Sequence, residues 1–268
     1  MADFSRSAMS AAGDPFSQDP SVGPANTPMW REVFAGLDWL SLHLSPTWVG
    51  CGLPHGRGEP VVVVPGFLGS DTYLIELYSW LARMGYRPYF SNIGQNADCP
   101  DHLANVLLHT VKLAHEETGQ KVRLIGHSLG GMLARTVALE YPEHVAGVIS
   151  MGSPIRESVR AHPMILSAVE AIRRGSRRGG AGSNIKPSCF SGHCTCTFVK
   201  NMLAPEAFRV PHFAIFSKHD GVVDWKECME EDDSLNDEVD STHVGMAFHP
   251  GVYRALARRL ASIGRAGD

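Results

Sequence analysis

The stretch VRLIGHSLGGMLART, residues 122–136, places a serine between glycines at a junction of two opposite patterns. The apolar run before it predicts a β-strand, and the run after it predicts a helix that stops near Pro142. Glycines on both sides allow the backbone to turn sharply at Ser128, which is the strand–turn–helix arrangement of a nucleophile elbow. A serine that merely caps the helix is the alternative.

Strand and helix patterns alternate on both sides of this stretch. GEPVVVVPGFLGS, residues 58–70, holds four consecutive valines and predicts a strand buried on both faces, as in a parallel sheet. Further strands are predicted in RPYFSNI, VAGVISMGSP and HFAIFS, and helices in residues 28–44, 73–86, 102–119 and 251–263. The alternation predicts an α/β fold with a mostly parallel, doubly wound sheet.

Composition sets the broad class and the domain organisation. The 268 residues suffice for one large core, and the net charge of −4 argues against general affinity for nucleic acid. Residues 1–27 read as a disordered tail with no signal-peptide pattern, and residues 28–268 as one domain. With no apolar run of the roughly 18 residues that a membrane span needs, a cytoplasmic location is expected.

A reactive serine requires a base and an acid. In folds with a nucleophile elbow, the acid follows the serine along the chain and the histidine follows the acid. HFAIFSKHDGVVDW offers Asp220 just past a strand, where Gly221 permits the turn, and Asp224 as the alternative that could cap the next helix. STHVGMAFHPGVY offers His243 before the last helix, with His249 as the alternative. His127 and His219 neighbour the reactive positions but lie out of line for the role of base.

An acyl-transfer site also needs two amide donors for the oxyanion. One is the N–H of Leu129, directly after the serine. The other is expected from the loop after the valine strand, where Gly66 lets the chain turn inward and leaves the N–H of Phe67 facing the reacting carbonyl. This chemistry needs no cofactor and no metal.

Three of the six cysteines crowd into CFSGHCTC, residues 189–196. With His193 inside the cluster a zinc site is conceivable, but the spacing has no partner CxxC pair. A local bridge such as Cys189–Cys194, or reduced thiols, is favoured, and the sequence does not decide between them.

With these residues assembled, the chain resembles the lipase/esterase branch of the α/β-hydrolase superfamily, particularly bacterial lipases and carboxylesterases. VVVVPGFLGS, LIGHSLGG, FSKHDGVVDW and STHVGM carry the resemblance, which covers roughly residues 58–265. It implies an α/β-hydrolase fold with Ser128 as nucleophile, Asp220 as acid, His243 as base, and Phe67 and Leu129 as the oxyanion-hole residues. Where lipases of this type carry His-Gly, this chain has Pro65-Gly66.

The resemblance also implies a cap or lid over the site, here about residues 155–210. Apolar residues of HPMILSAVEAI would line an acyl pocket or form an ordinary packed helix: Met164, Ile165, Leu166 and Val169. Arginines in the same segment would meet an anionic substrate or membrane surface, or be solvated loop charge: Arg173, Arg174, Arg177 and Arg178.

The sequence therefore favours a serine hydrolase of carboxylic esters, with lipid-like acyl esters as small-molecule substrates. The same triad supports acyl transfer to an alcohol and thioester cleavage. Two answers from other classes are a binding protein on a hydrolase fold and a metal-dependent enzyme that uses the cysteine cluster with His193 and His212. The sequence is also compatible with peripheral contact with a membrane or micelle.

Overall fold

Six parallel strands form one sheet in the computed structural model, which describes residues 29–156, 196–203 and 208–263. In chain order they are β1 (Pro60–Val64), β2 (Arg87–Phe90), β3 (Val122–His127), β4 (Val145–Met151), β5 (His212–Phe216) and β6 (Asn236–Glu238). Across the sheet the order is β2-β1-β3-β4-β5-β6. The direction of chain progression reverses at β1, and in open α/β sheets such a switch point opens a crevice at the carboxyl ends of the strands.

The four valines of β1 explain why this strand lies inside the sheet. Each of them has no exposed surface. Val61 and Val63 pack into the hydrophobic cluster on one face, and Val62 and Val64 into the cluster on the other. In a strand that is buried on both faces, the side chains on each face contact apolar neighbours. A continuous run of apolar residues is therefore expected, and not an alternation of apolar and polar ones.

Helices cover both faces of the sheet. In the described ranges the α-helices are α1 (Ala35–Leu44), α2 (Ile75–Arg83), α3 (Pro100–Thr118), α4 (Leu129–Glu140), α5 (Thr197–Leu203) and α6 (Pro250–Ile263). Residues of α1, α2 and α6 join the cluster of Val61 and Val63, whereas residues of α3, α4 and α5 join the cluster of Val62 and Val64. A 3₁₀ helix, Met29–Phe34, leads into α1. The fold class expected from the sequence is confirmed.

Several local predictions are confirmed as well. Helix α3 ends where expected, with Gly119 in the left-handed conformation at φ 67°. The helical pattern at residues 28–44 corresponds to the 3₁₀ helix and α1, although its apolar residues face solvent: Val33 and Leu44 are 77% and 78% exposed. Instead, Leu42 carries the contact of α1 with the core.

Two elements were not expected from the sequence. Strand β6 consists of three polar residues at the edge of the sheet. It is too short to show an alternation of apolar and polar residues in the sequence. Helix α5 lies inside the segment 155–210, and its Phe198 and Met202 pack against α3 and α4. The parts of the expected cap at 157–195 and 204–207, and the expected tail 1–27, lie outside the described residues. Within the described ranges, no helix is long and apolar enough to cross a bilayer.

The register of the central strands brings three strand ends together. Val64 pairs with Gly126, and His127 pairs with Met151. The loops that follow β1, β3 and β4 therefore start side by side at one edge of the sheet.

Candidate active site

Ser128 occupies the corner between β3 and α4 in a strained backbone conformation. Its φ of 52° and ψ of −125° lie in a region that non-glycine residues rarely adopt, at a cost of about 1–3 kcal/mol. Its N–H donates to the carbonyl of Met151 at 2.8 Å, and its carbonyl accepts from Gly131 at 3.0 Å. Strand pairing and the start of the helix thus hold the corner from both sides.

The glycines around Ser128 are required by contact distances. A Cβ on Gly126 would lie 2.4 Å from the Cα of Gly131, and a Cβ on Gly130 would lie 2.3 Å from the carbonyl oxygen of Val64. Both distances are far inside normal contact, and both are to backbone atoms that cannot move aside cheaply. The positions of Gly126 and Gly130 around Ser128 therefore follow from the close packing of the first turn of α4 against β3 and the end of β1.

Asp220 and His243 meet although they lie on different loops. Asp220 follows β5, His243 precedes α6, and Nδ1–H of His243 donates to Oδ2 of Asp220 at 2.6 Å. The other carboxylate oxygen accepts the N–H groups of Val222 and Val223, each at 2.8 Å. Because both oxygens of this buried carboxylate are engaged, its orientation toward the imidazole is fixed.

The two alternative residues occupy local capping positions. The carboxylate of Asp224 accepts the N–H of Lys226 at the start of a 3₁₀ helix, Trp225–Cys228. His249 accepts the N–H of Gly251 on its ring at the start of α6, and its carbonyl accepts from Val252.

The turn after β4 contacts both Ser128 and the His243–Asp220 pair. Met151 binds the N–H of Ser128, and Gly152 follows with φ 55°. A Cβ on Gly152 would lie 3.1 Å from Nδ1 of His243 and 3.3 Å from Oδ2 of Asp220. In the part of the chain that the structure describes, no hydrogen bond joins the Ser128 hydroxyl to the imidazole; in serine hydrolases without substrate this bond is often long.

The protonation of His243 is set by opposing effects. Burial lowers the pKa of the imidazole, but the charge of Asp220 and its hydrogen bond, together with the charge of Glu32, outweigh burial and raise this pKa above its ordinary value. With Nδ1 bound to Asp220, Nε2 is the ring nitrogen left to take a proton.

His127 supports the same loop, a role that the sequence did not indicate. Its Nε2–H donates to the carbonyl of His243 at 2.9 Å, and the two rings lie 4.8 Å apart. Burial and the charge of His243 lower the pKa of His127 to about 3, so it stays neutral at ordinary pH. Its Nδ1 would lie 3.1 Å from a Cβ on Gly66, so the loop after β1 packs closely against this ring.

The loop after β1 forms a tight turn held by Asn96. Gly69 donates to the carbonyl of Gly66 at 2.9 Å, and Leu68 takes φ 62° inside this turn. Buried Asn96 donates from its side chain to Pro65 at 2.8 Å, and its backbone bonds to Leu68 and Gly69. Among the described residues, the N–H groups of Phe67 and Leu129 have no protein acceptor. Asn96 lies in a motif-free stretch, so no sequence signal identified it.

Other predicted site residues lie outside the described ranges. These are the expected acyl-pocket residues Met164, Ile165, Leu166 and Val169, and Cys189, His193 and Cys194 of the cysteine cluster. Among the side chains that the structure does describe, no group of three His, Cys, Asp or Glu residues could hold a metal ion.

A family model described as the alpha/beta hydrolase fold matches residues 59–195, which are 137 of the 268 residues. Two solved structures share the fold. The metagenomic carboxyl esterase MGS0156 has a TM-score of 0.59 at 12% identity, covering 87% of this chain and 91% of that chain. A structure of the metagenome-derived lipolytic enzymes LipS and LipT has a TM-score of 0.56 at 20% identity, covering 80% and 96%.

Curated relatives match over shorter stretches. A triacylglycerol lipase of Burkholderia plantarii is 35% identical over 133 residues, 46% of this chain and 37% of the lipase. One of Pseudarthrobacter phenanthrenivorans is 37% identical over 108 residues, 37% of this chain and 34% of the lipase. Ethanol acetyltransferase 1 of Kluyveromyces marxianus is 26% identical over 176 residues, 63% of this chain and 46% of the transferase.

The alignments therefore span only 34% to 37% of the length of these lipases. The family model covers β1, the serine corner and β4, whereas Asp220 and His243 lie beyond its last matched residue. The chain belongs to the alpha/beta hydrolase fold family and is lipase/esterase-like within it.

Proposed function

We propose that this chain hydrolyses carboxylic esters through an acyl-enzyme on Ser128, with His243 as general base and Asp220 as the residue that orients it. The observation that carries the proposal is the 2.6 Å bond from Nδ1 of His243 to Oδ2 of Asp220, beside a serine in a strained corner. A buried ion pair alone would be structural. Here, however, Ser128 lies at the carboxyl end of β3 and Asp220 just after the carboxyl end of β5, where ligands bind in α/β sheets. This location favours a catalytic role for the pair.

In the first half-reaction, Oγ of Ser128 attacks the ester carbonyl while Nε2 of His243 takes its proton. The tetrahedral oxyanion accepts hydrogen bonds from the N–H groups of Leu129 and Phe67, each of the kind whose loss costs about 3 kcal/mol of barrier. Asp220 stabilises the imidazolium. When the intermediate collapses, the C–O bond to the alcohol breaks, and the alkoxide leaves with the proton from His243.

In the second half-reaction, His243 takes a proton from water, and the hydroxide attacks the acyl carbonyl on Ser128. The oxyanion forms in the same position and is met by the same two donors. Collapse breaks the bond to Oγ, which recovers its proton from Nε2. The free acid leaves, and the protein returns to its starting state.

Acyl esters of lipid-like character are the substrate class that we infer, because the similar curated proteins include triacylglycerol lipases. Under this proposal the segment of about residues 155–210 acts as a cap on a single domain spanning 28–268, with residues 1–27 as a tail. Four residues of the cap would line the acyl pocket: Met164, Ile165, Leu166 and Val169.

Acyl transfer is the second candidate, favoured by the similarity to ethanol acetyltransferase 1 over 63% of this chain. The two activities differ only in the nucleophile of the second half-reaction. Supplying p-nitrophenyl esters of two to sixteen carbons with and without ethanol separates them. Free acid as the main product in both conditions supports hydrolysis. If ethanol is added in water and more ethyl ester than free acid is formed, the result supports acyl transfer.

The pH dependence of ester turnover follows from the pKa of His243. Only the neutral imidazole can take the serine proton, so kcat/KM falls as pH drops through this pKa. Because Asp220 and Glu32 raise the pKa, the half-maximum should lie above the ordinary imidazole value of about 6.5. His127 does not contribute there, since its pKa is about 3. A pH profile of kcat/KM checks this, and a half-maximum below the ordinary value would contradict it.

A further inference from the structure

Glu32 joins the two loops that carry the proposed acid and base. Its Oε1 accepts the N–H of Gly221 at 3.0 Å and the N–H of His243 at 3.0 Å. Its Oε2 accepts the N–H of Val244 at 2.8 Å. Gly221 directly follows Asp220, so one carboxylate binds the backbone beside the acid and the backbone of the histidine itself.

These contacts come from a part of the chain that the family model does not match. Glu32 lies in the 3₁₀ helix before α1, whereas the model begins at residue 59. The residues that Glu32 contacts are 189 to 212 positions away along the chain. Hydrogen bonds to an ionised carboxylate are shorter and about twice as strong as neutral ones.

We propose that Glu32 is a positioning residue for catalysis, which sets the distance and orientation between the loop of Asp220 and the loop of His243. The inference rests on the proposed function of the two loops. It goes beyond the family's triad because it assigns a role in the site to the segment before β1.

A second acid on the same segment contacts the same loop. The hydroxyl of Ser241 donates to Oδ2 of Asp38 at 3.2 Å, and the same carboxylate oxygen lies against the backbone of Gly245. The histidine loop is therefore held by carboxylates on both sides of His243. Glu32 is the only one of these two that binds His243 itself and also reaches the Asp220 loop.

Simple attachment of the N-terminal helices is the alternative role, and the chain offers a matched control for it. Glu76 on α2 accepts Nε1–H of Trp39 at 3.1 Å and pairs with His43 at 3.5 Å. Glu76 thus anchors α1 without contacting either catalytic loop. Its substitution weakens the attachment of the helix while leaving the three amide contacts of Glu32 in place.

The pKa of His243 distinguishes the two roles, because the charge of Glu32 acts on this pKa and the attachment of the N-terminal helices alone does not. Among the described residues, the charged or titratable groups that face His243 are Asp220 on the loop after β5, Glu32 before α1, and His127 at the end of β3, which is neutral. Removing the charge of Glu32 lowers the pKa of the His243 imidazole. The acid limb of the pH profile then shifts to lower pH, although the total activity falls.

The experiment compares the full chain with Glu32→Gln, Glu32→Asp and Glu76→Gln. A glutamine at position 32 turns an N–H₂ toward one of three backbone donors, so that at least one contact is lost. We expect kcat for p-nitrophenyl butyrate to fall about 10- to 100-fold at little change in KM, because displaced catalytic groups lose orientation. The acid limb should move to lower pH in Glu32→Gln, while Glu32→Asp keeps the limb in place and Glu76→Gln keeps kcat.

NMR titration of the His243 imidazole, assigned by its loss in His243→Ala, tests the inference without any turnover. A lower pKa in Glu32→Gln than in the wild type supports it even if the wild type hydrolyses no ester, which would refute the proposed function alone. Thermal unfolding identifies any variant that fails to fold. Wild-type kcat and an unmoved His243 pKa in folded Glu32→Gln would overturn the role, as would an equal loss in Glu76→Gln.

Discussion

Replacing Ser128 with alanine is expected to lower kcat/KM for p-nitrophenyl esters by about 10⁴- to 10⁶-fold. The change removes the only atom that forms the covalent bond in the proposed mechanism, while the oxyanion donors and the binding surface remain. The fold should persist, because the described hydrogen bonds at this position use the backbone and not the hydroxyl. Steady-state kinetics and thermal unfolding measure the two halves of this expectation.

A serine away from the site provides the control. Ser262 lies exposed on α6 and bonds to the carbonyl of Arg259 within its own helix, so Ser262→Ala should keep wild-type kinetics. Retention of full ester turnover by a folded Ser128→Ala protein would contradict the assignment of the nucleophile.

Asparagine in place of Asp220 is expected to lower kcat by about 10⁴-fold, because the imidazole would adopt the wrong tautomer. One carboxylate oxygen accepts two N–H groups, from Val222 and Val223, so the carbonyl of an asparagine would take that side. Its N–H₂ group would then face Nδ1 of His243. Nδ1 would then have to accept a hydrogen bond from this group, so the imidazole proton would lie on Nε2. A protonated Nε2 cannot take the proton of the Ser128 hydroxyl.

Asp224→Asn serves as the matched control for this substitution. Asp224 lies four residues further along the same loop and caps a 3₁₀ helix, and asparagine keeps an oxygen that can accept the N–H of Lys226, so Asp224→Asn should change the free energy of unfolding little and leave kcat near wild type. If Asp224→Asn lowered kcat by orders of magnitude and Asp220→Asn did not, the acid would be misassigned.

The serine corner and the buried valine strand were readable from sequence because their signals are local. Gly126 and Gly130 flank Ser128 within the turn that needs them, and the valines carry their own burial pattern. The choice between Asp220 and Asp224 was also guided locally, by the glycine after the first and the helix start after the second. The structure gives each of these carboxylates a different set of partners, in line with that choice.

The remaining parts of the site could not be predicted because they depend on the path of the whole chain. Glu32 and Asn96 lie in stretches without a motif and act on loops that reach them only after the sheet has formed. The sequence places His127 out of line for a base, and its bond to the carbonyl of His243, 116 residues away, depends on where the loop before α6 lies in the folded chain. The apolar spacing in α1 predicted a helix and gave no indication of which side contacts the core.

The central claim is that the hydroxyl of Ser128 is made nucleophilic by the His243–Asp220 pair, and labelling by a fluorophosphonate tests it most directly. Mass spectrometry of the digested protein should place one phosphonyl group on the peptide that contains Ser128. The labelled fraction should match the fraction of ester turnover lost, and Asp220→Asn should slow labelling. Adducts on a different side chain, or complete inactivation that leaves Ser128 unmodified, would contradict the account.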